Sequence, residues 1–212
     1  MIMKIGAIIL AAGSSRRFGD DKRKTLLDTG KSVLATTIVN TASHFDQIMV
    51  VLRFSDLGYA NALGEELNDP GITYYCAPDS AQGMAHSLGN AIASISKTEN
   101  WDAAAIFLGD MPFLQPGTVP LLLETYENSP QTAPIVVPVR EGSYGHPVIF
   151  HHRYFQEITE LKGDTGARPI IQAHIAHVIE VPTEDPGVER DIDRPEEIET
   201  PEGREADREK KP

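Results

Sequence analysis

The chain has 212 residues, 41% of them hydrophobic and 24% charged, with a formal net charge of −12. That acidity argues against a nucleic-acid surface, no apolar run reaches the roughly 18–20 residues of a membrane span, and the N-terminus lacks a signal-peptide layout. The single cysteine, Cys76, excludes an internal disulfide and suits a reducing cytoplasm, where it reads as a packing thiol. One domain is expected over residues 1–200, followed by a charged tail, 201–212, without apolar periodicity and read as disordered.

Ile5 to Leu10 is a short apolar run ending in a small-residue segment, Ala11-Ala12-Gly13-Ser14-Ser15. Its length and composition predict a strand covered on both faces. Small residues let backbone N–H groups surround an anion, and Arg16 or Arg17 adds a forked, charged donor. The spacing is neither G-x-G-x-x-G nor G-x-x-x-x-G-K-[ST], which excludes a nicotinamide-dependent oxidoreductase and a Walker loop as far as a sequence can. From Arg16 to Lys31 six basic residues (Arg16, Arg17, Lys22, Arg23, Lys24, Lys31) meet three acids (Asp20, Asp21, Asp28). Cations gathered beside such a loop in an acidic protein suit a small polyanion.

Apolar spacing predicts a helix over Ser32–Phe45, a buried strand over Gln47–Leu52, a helix over Leu57–Leu67 and a turn at Asn68–Gly71. A strand at Ile72–Cys76, a helix at Ala85–Ile95 and a fully apolar strand at Ala103–Leu108 follow. Thr118 is expected to cap a helix through Tyr126, with Pro120 tolerated in the first turn. The alternation implies right-handed crossovers and a mostly parallel sheet. Ile135–Val139 and Val148–Phe150 lie too close in sequence for another crossover and predict a hairpin or sheet-edge excursion. Helical stretches at Arg153–Leu161 and Ala167–Ala176 and a strand at His177–Val181 complete the pattern.

In an open parallel sheet, ligands bind beyond the carboxyl ends of the strands. The Ala103–Leu108 strand runs into Gly109-Asp110-Met111-Pro112-Phe113. Alone, Asp110 reads equally as a turn residue; paired with the first loop, it reads as a ligand for a hard cation such as Mg²⁺. In Arg190-Asp191-Ile192-Asp193-Arg194-Pro195-Glu196, Asp193 and Glu196 form a capping box, which leaves Asp191 as candidate second metal ligand. Gln82-Gly83-Met84-Ala85-His86-Ser87 opens a helix, where Gly83 and Ser87 serve either packing or a nucleotide. His146 in Gly145-His146-Pro147, and Asp164 and Arg168 in Gly163-Asp164-Thr165-Gly166-Ala167-Arg168, lie in two further small-residue loops. Arg168 stands where it could hold an acceptor phosphate.

These motifs occur in a fixed order over Ile5–Glu197. LAAGSSRRFG, Lys24-Thr25-Leu26-Leu27, QGMAHSL, LGDMPF, GHPVIF, GDTGAR and DIDRPEE together resemble the MobA-like nucleotidyltransferases, and within them the molybdenum cofactor cytidylyltransferases. The resemblance implies a three-layer α/β/α Rossmann-like fold of the nucleotide-diphospho-sugar transferase type, its mostly parallel sheet carrying an antiparallel excursion. It implies transfer of CMP from CTP to the terminal phosphate of molybdopterin with release of pyrophosphate, and a molybdoenzyme or chaperone that receives the product. Carried over by position, the backbone of Leu10, Ala11, Ala12, Gly13, Ser14 and Ser15, with Arg17, holds the triphosphate. Lys24 neutralises it, Lys22 being the alternative because the Arg17-to-Lys24 spacing is long. Gly83 and Ser87 add to the nucleotide site. Asp110 binds Mg²⁺, with Asp191, while His146, Asp164 and Arg168 face the acceptor. Ala12 stands where the guanylyltransferase branch has glycine, which favours cytidine. The rival readings are a transferase for a sugar phosphate or phospholactate and a nucleotide-binding module without turnover.

Overall fold

A computed structural model describes residues 3–13, 21–98 and 100–192. The expectations for Ser14, Ser15, Arg16 and Arg17, for the Asp193–Glu196 cap and for the 201–212 tail lie outside those residues. The strands are β1 (Ile5–Leu10), β2 (Ile48–Arg53), β3 (Ile72–Ala77), β4 (Ala103–Leu108), β5 (Ile135–Arg140), β6 (Ser143–Tyr144), β7 (Val148–His151) and β8 (Val178–Pro182). They form one sheet in the order β3-β2-β1-β4-β7-β5, with β8 and β6 also paired to β5. The first four are parallel, and β1 matches β4 residue for residue from Ile5↔Ala103 to Leu10↔Leu108. β7 runs antiparallel between β4 and β5, and β8 lies parallel to β5. Mixed α/β architecture with an antiparallel excursion is thus the observed fold.

Why the strands read as continuous apolar runs is plain from the two cores. Ile8 and Leu10 of β1 point to one face, while Ala7 and Ile9 point to the other, and all four are buried. Helices α3 (Met84–Thr98), α5 (Phe155–Thr159) and α6 (Arg168–Ala173) cover the first face through Leu88, Ile92, Ile158 and Ile170. Helices α1 (Val33–Ala42), α2 (Leu57–Leu67) and α4 (Thr118–Glu127) cover the second through Leu34, Ile38, Leu63 and Leu122. With helices on both faces, no strand side chain needs to be polar.

Local chemistry sets the ends. Ser32 caps α1, its Oγ accepting from the Ala35 N–H at 3.2 Å, and the helix stops at Ala42 rather than Phe45. Asn68 closes α2 in the left-handed region, at φ 43°, a conformation that asparagine tolerates. Thr118 is not the cap of α4: Gly117 holds that position, and the Thr118 hydroxyl donates instead to buried Asp185 at 2.5 Å. A carboxylate is the stronger acceptor, so the hydroxyl turns inward. The expected Arg153–Leu161 helix divides into a 3₁₀ turn, His152–Tyr154, and the short α5.

β6 and β7 lie along the same edge of β5, because Val136 and Val139 each pair with β8 on the other side. Between Val136↔Ile149 and Val139↔Tyr144, four residues (Gly145–Val148) face two (Val137, Pro138). This bulge breaks the strand at Gly145-His146-Pro147. Cys76, on β3, is half-buried, and burial followed by the nearby Asp56 carboxylate pushes its thiol up from the ordinary value.

Candidate functional site

The parallel strands β1 and β4 end side by side, and their loops touch backbone to backbone. The Gly109 N–H donates to the Leu10 carbonyl at 2.8 Å. A Cβ on Gly109 would lie 2.8 Å from the Ala11 Cβ, so only glycine lets the two loops approach this closely. The approach puts Asp110 beside the phosphate-loop candidate, as the two motifs require. Leu10 and Ala11 are buried, Ala12 is half-buried, and Gly13 is exposed with open space where a side chain would stand.

Asp110 is 18% exposed and pairs through Oδ2 with the Lys22 Nζ at 2.5 Å. Its Oδ1 is buried without a hydrogen bond among the described residues. Its own carbonyl accepts from the Ile192 N–H at 3.1 Å. His146, presented by the bulge, sets Nδ1 3.4 Å from the Ile106 carbonyl and its N–H on the Val188 carbonyl at 2.7 Å. Burial lowers the His146 pKa, outweighing the Ile106 carbonyl and the Asp110 carboxylate that favour its charged form. A carbonyl only accepts, so the neutral ring carries its proton on Nδ1 and keeps an acceptor at Nε2.

Lys22, Arg23 and Lys24 form one 3₁₀ turn, in which successive side chains stand about 120° apart. Lys22 reaches Asp110, whereas Lys24 sits 4.9 Å over the Tyr59 ring. Arg23 points inward at 3% exposure. Its Nε and Nη2 grip Asp21 at 2.7 and 2.6 Å, and its Nη1 reaches Asp56 at 2.5 Å and the Ala11 carbonyl at 2.8 Å. Burial opposes that charge, but the two carboxylates more than compensate and hold the guanidinium above its ordinary pKa. Arg53, at the end of β2, donates from Nε and Nη2 to the Gly13 carbonyl at 3.0 and 2.6 Å.

A second junction joins two other motifs. Gly83 has φ +123°, and a Cβ there would lie 2.6 Å from Asp164 Oδ1 and the Gly163 carbonyl. Asp164 Oδ1 accepts from the Met84 N–H at 3.1 Å, and the Gly163 carbonyl from the Ala85 N–H at 3.0 Å. The chain's own carboxylate therefore caps α3, where an anion is stabilised by the helix start. Ser87 is buried, with its hydroxyl donating to the Gly83 carbonyl at 3.3 Å. Arg168 is exposed at the first turn of α6. Gly83 and Asp164 thus share this junction, Arg168 stands exposed four residues beyond Asp164, and His146 lies within the field of Asp110.

The segment after β8 runs along the Asp110 loop. Asp185, only 2% exposed, accepts from the Gln115 N–H at 2.9 Å, the Thr118 hydroxyl and the Gly187 N–H at 2.7 Å. Gly187 packs so tightly that a Cβ would be 2.4 Å from the Phe113 carbonyl. The Arg190 guanidinium lies 4.2 Å over the Phe113 ring. Ile192 is buried with Leu27, Val33 and Phe113, leaving its neighbour Asp191 exposed beside the Asp110 loop. Sequence reasoning counted Arg23 among the cations beside the loop without its burial, and missed Arg53 and Asp185. The only signal for the last was an aspartate two residues before Gly187 in a stretch without helical or strand spacing.

The donor set fits a hard divalent cation. Asp110 offers an orphaned carboxylate oxygen, and a second carboxylate stands on the adjoining segment. Among the described residues no three His, Cys, Asp or Glu side chains gather as a cage, so a cation held here would complete its shell from substrate oxygens and water.

Several known proteins are similar to this chain. The family model described as the MobA-like NTP transferase domain matches residues 7–178. The purine catabolism protein PucB of Bacillus subtilis is 28% identical over 200 residues, covering 90% of this chain and 92% of its own. A probable molybdenum cofactor guanylyltransferase of Natranaerobius thermophilus is 27% identical over 154 residues, covering 72% and 69%. Among solved structures, Rv0371c of Mycobacterium tuberculosis superposes with a TM-score of 0.74 at 24% identity, covering 92% and 95%. A manganese complex of Rv0371c superposes at 0.66 with 20% identity, covering 97% and 98%.

Proposed function

The chain belongs to the MobA-like NTP transferase family, and from that premise we propose that it transfers CMP from CTP to the terminal phosphate of molybdopterin. A phosphate oxygen of the acceptor attacks the α-phosphorus, a new P–O bond forms, the α–β bridging P–O bond breaks, and pyrophosphate leaves. A phosphate monoester is largely ionised near neutral pH, so no protein base is required. Two anions must meet, and catalysis rests on alignment and neutralisation of charge.

The observation that carries the reading is the meeting of the Leu10–Gly13 backbone, Lys22 and Asp110 at the carboxyl ends of two adjacent strands. In this reading the loop's N–H groups, with Ser14, Ser15 and Arg17, cradle the triphosphate. Lys22, rather than Lys24, follows the negative charge from Asp110 to the phosphates, since Lys24 is turned to Tyr59. Asp110 and Asp191 would hold a divalent cation such as Mg²⁺, which would supply positive charge beside the phosphates. Gly83 and Ser87 shape the helix start on the nucleotide side, and His146, Asp164 and Arg168 serve the acceptor. The product passes to a molybdoenzyme or its chaperone.

Cytidine is favoured by Ala12 in the phosphate loop; the relative named as a guanylyltransferase makes GTP the second reading. Pyrophosphate release measured with CTP, GTP, ATP and UTP, with and without molybdopterin, tests both. Release is expected with CTP and molybdopterin together. Release with GTP alone among the four moves the chain to the guanylyl branch, and release only with a sugar phosphate or phospholactate replaces the acceptor. Binding without release under every condition replaces the enzyme with a nucleotide-binding module. Asp110→Ala should abolish release while the melting curve stays that of a folded protein; full activity in that variant overturns the metal assignment.

A further inference from the structure

Buried arginine is costly unless paired, and Arg23 is buried at 3% exposure. Its surroundings are Asp21, Asp56, the Ala11 carbonyl and, 5.1 Å away, the face of Tyr59. Arg53 lies 3.7 Å from Asp21 and brings it a second positive charge, while the Arg53 backbone N–H donates to Asp56 at 3.1 Å. The cluster sits directly behind the phosphate-loop candidate and binds its carbonyls, Ala11 through Arg23 and Gly13 through Arg53.

Two geometric consequences follow. A trans peptide is planar, so fixing the Ala11 carbonyl on one side fixes the Ala12 N–H on the other. A 3₁₀ turn separates neighbouring side chains by a third of a revolution. With Arg23 held at its fork by two carboxylates, the turn cannot rotate about its axis, and Lys22 is aimed at Asp110.

We propose that Arg23 is a positioning residue for nucleotidyl transfer: its forked anchorage on Asp21 and Asp56 sets the rotation of the Lys22–Lys24 turn and hence the direction of Lys22. The proposal rests on the functional reading above, in which Lys22 meets the triphosphate. Lysine cannot replace the fork, because its single ammonium lacks the planar set of donors.

A double-mutant cycle on the intact chain tests it, with dissociation constants measured for CTP, GTP, ATP and UTP in the presence of Mn²⁺ and melting temperature followed in parallel. With the nucleotide that the wild type binds most tightly, Arg23→Lys should weaken binding about tenfold, a size ordinary for coupled neighbours. In a Lys22→Ala background the same change should cost no more than about twofold, because the group that Arg23 orients is gone. Asp56→Asn, which keeps the shape of the anchor, should follow the same pattern and serves if Arg23→Lys does not fold. Equal losses in both backgrounds would mean that Arg23 acts through the fold or through the Ala11 carbonyl and not through Lys22, and the proposal fails. A wild type that binds none of the four nucleotides removes the functional reading instead, and the proposal with it.

Discussion

Lys22 and Lys24 are two positions apart and live in different chemistry. The first is ion-paired to Asp110, while the second is exposed and rests on an aromatic ring. An exposed cation–π contact is worth about 0.5–1 kcal/mol, whereas a cation aimed at developing phosphate charge acts in the transition state. Lys22→Ala should therefore lower kcat/KM for the NTP by about a hundredfold, and Lys24→Ala by about threefold or less; steady-state pyrophosphate release distinguishes them. A smaller loss for Lys22 than for Lys24 would reverse the roles. The sequence named both lysines and had no means to choose, because apolar periodicity is silent about a three-residue turn. It also counted Arg23 among the cations facing a polyanion, and that side chain is buried behind the loop. What hid this was distance along the chain: Asp56, which stabilises the buried charge, is 33 residues away.

Elements were the most readable level. β1 and β4 were found at their observed bounds, because a strand covered on both faces must be apolar throughout. The β5–β6–β7 excursion was legible as a short link between strands, but its two extra residues were not, since bulging depends on pairing to β4, β5 and β8 at once. The glycine between β4 and Asp110 gives this level its sharpest prediction. Gly109→Ala inserts a methyl 2.8 Å from the Ala11 Cβ and 3.1 Å from the Leu10 carbonyl, with backbone on one side and a fully packed layer behind. Overpacking of this kind costs about 1–3 kcal/mol. A drop of a few degrees in melting temperature together with a loss of turnover larger than the fraction unfolded is expected. Wild-type activity in Gly109→Ala would show that the two loops need not touch.

At the scale of the molecule, the sheet brings the candidate loops to one end. The loops after β1, β3 and β4, and the turn entering β7, all leave at the carboxyl ends of the parallel strands. The tie that completes it was illegible: nothing in Thr183–Glu189 signals that Asp185 holds the Gln115 N–H and the Thr118 hydroxyl across the molecule. Asp185→Ala leaves the buried Thr118 hydroxyl unsatisfied, at about 1–3 kcal/mol, and frees the part-buried Gln115 N–H. In a domain of this size that corresponds to a fall in melting temperature of roughly 2–4 °C per kcal/mol. Thermal unfolding checks it, and an unchanged midpoint would mean that the segment is a passive neighbour.

The lacing of that segment onto the Asp110 loop has a consequence for the life of the protein. Ile192, Gly187 and Asp185 are made long after β1 and β4 have left the ribosome, yet they brace the loop that carries Asp110. A nascent chain that stops short of this segment carries Asp110 without the backbone bond from Ile192 and without the Asp185 tie to Gln115 and Thr118.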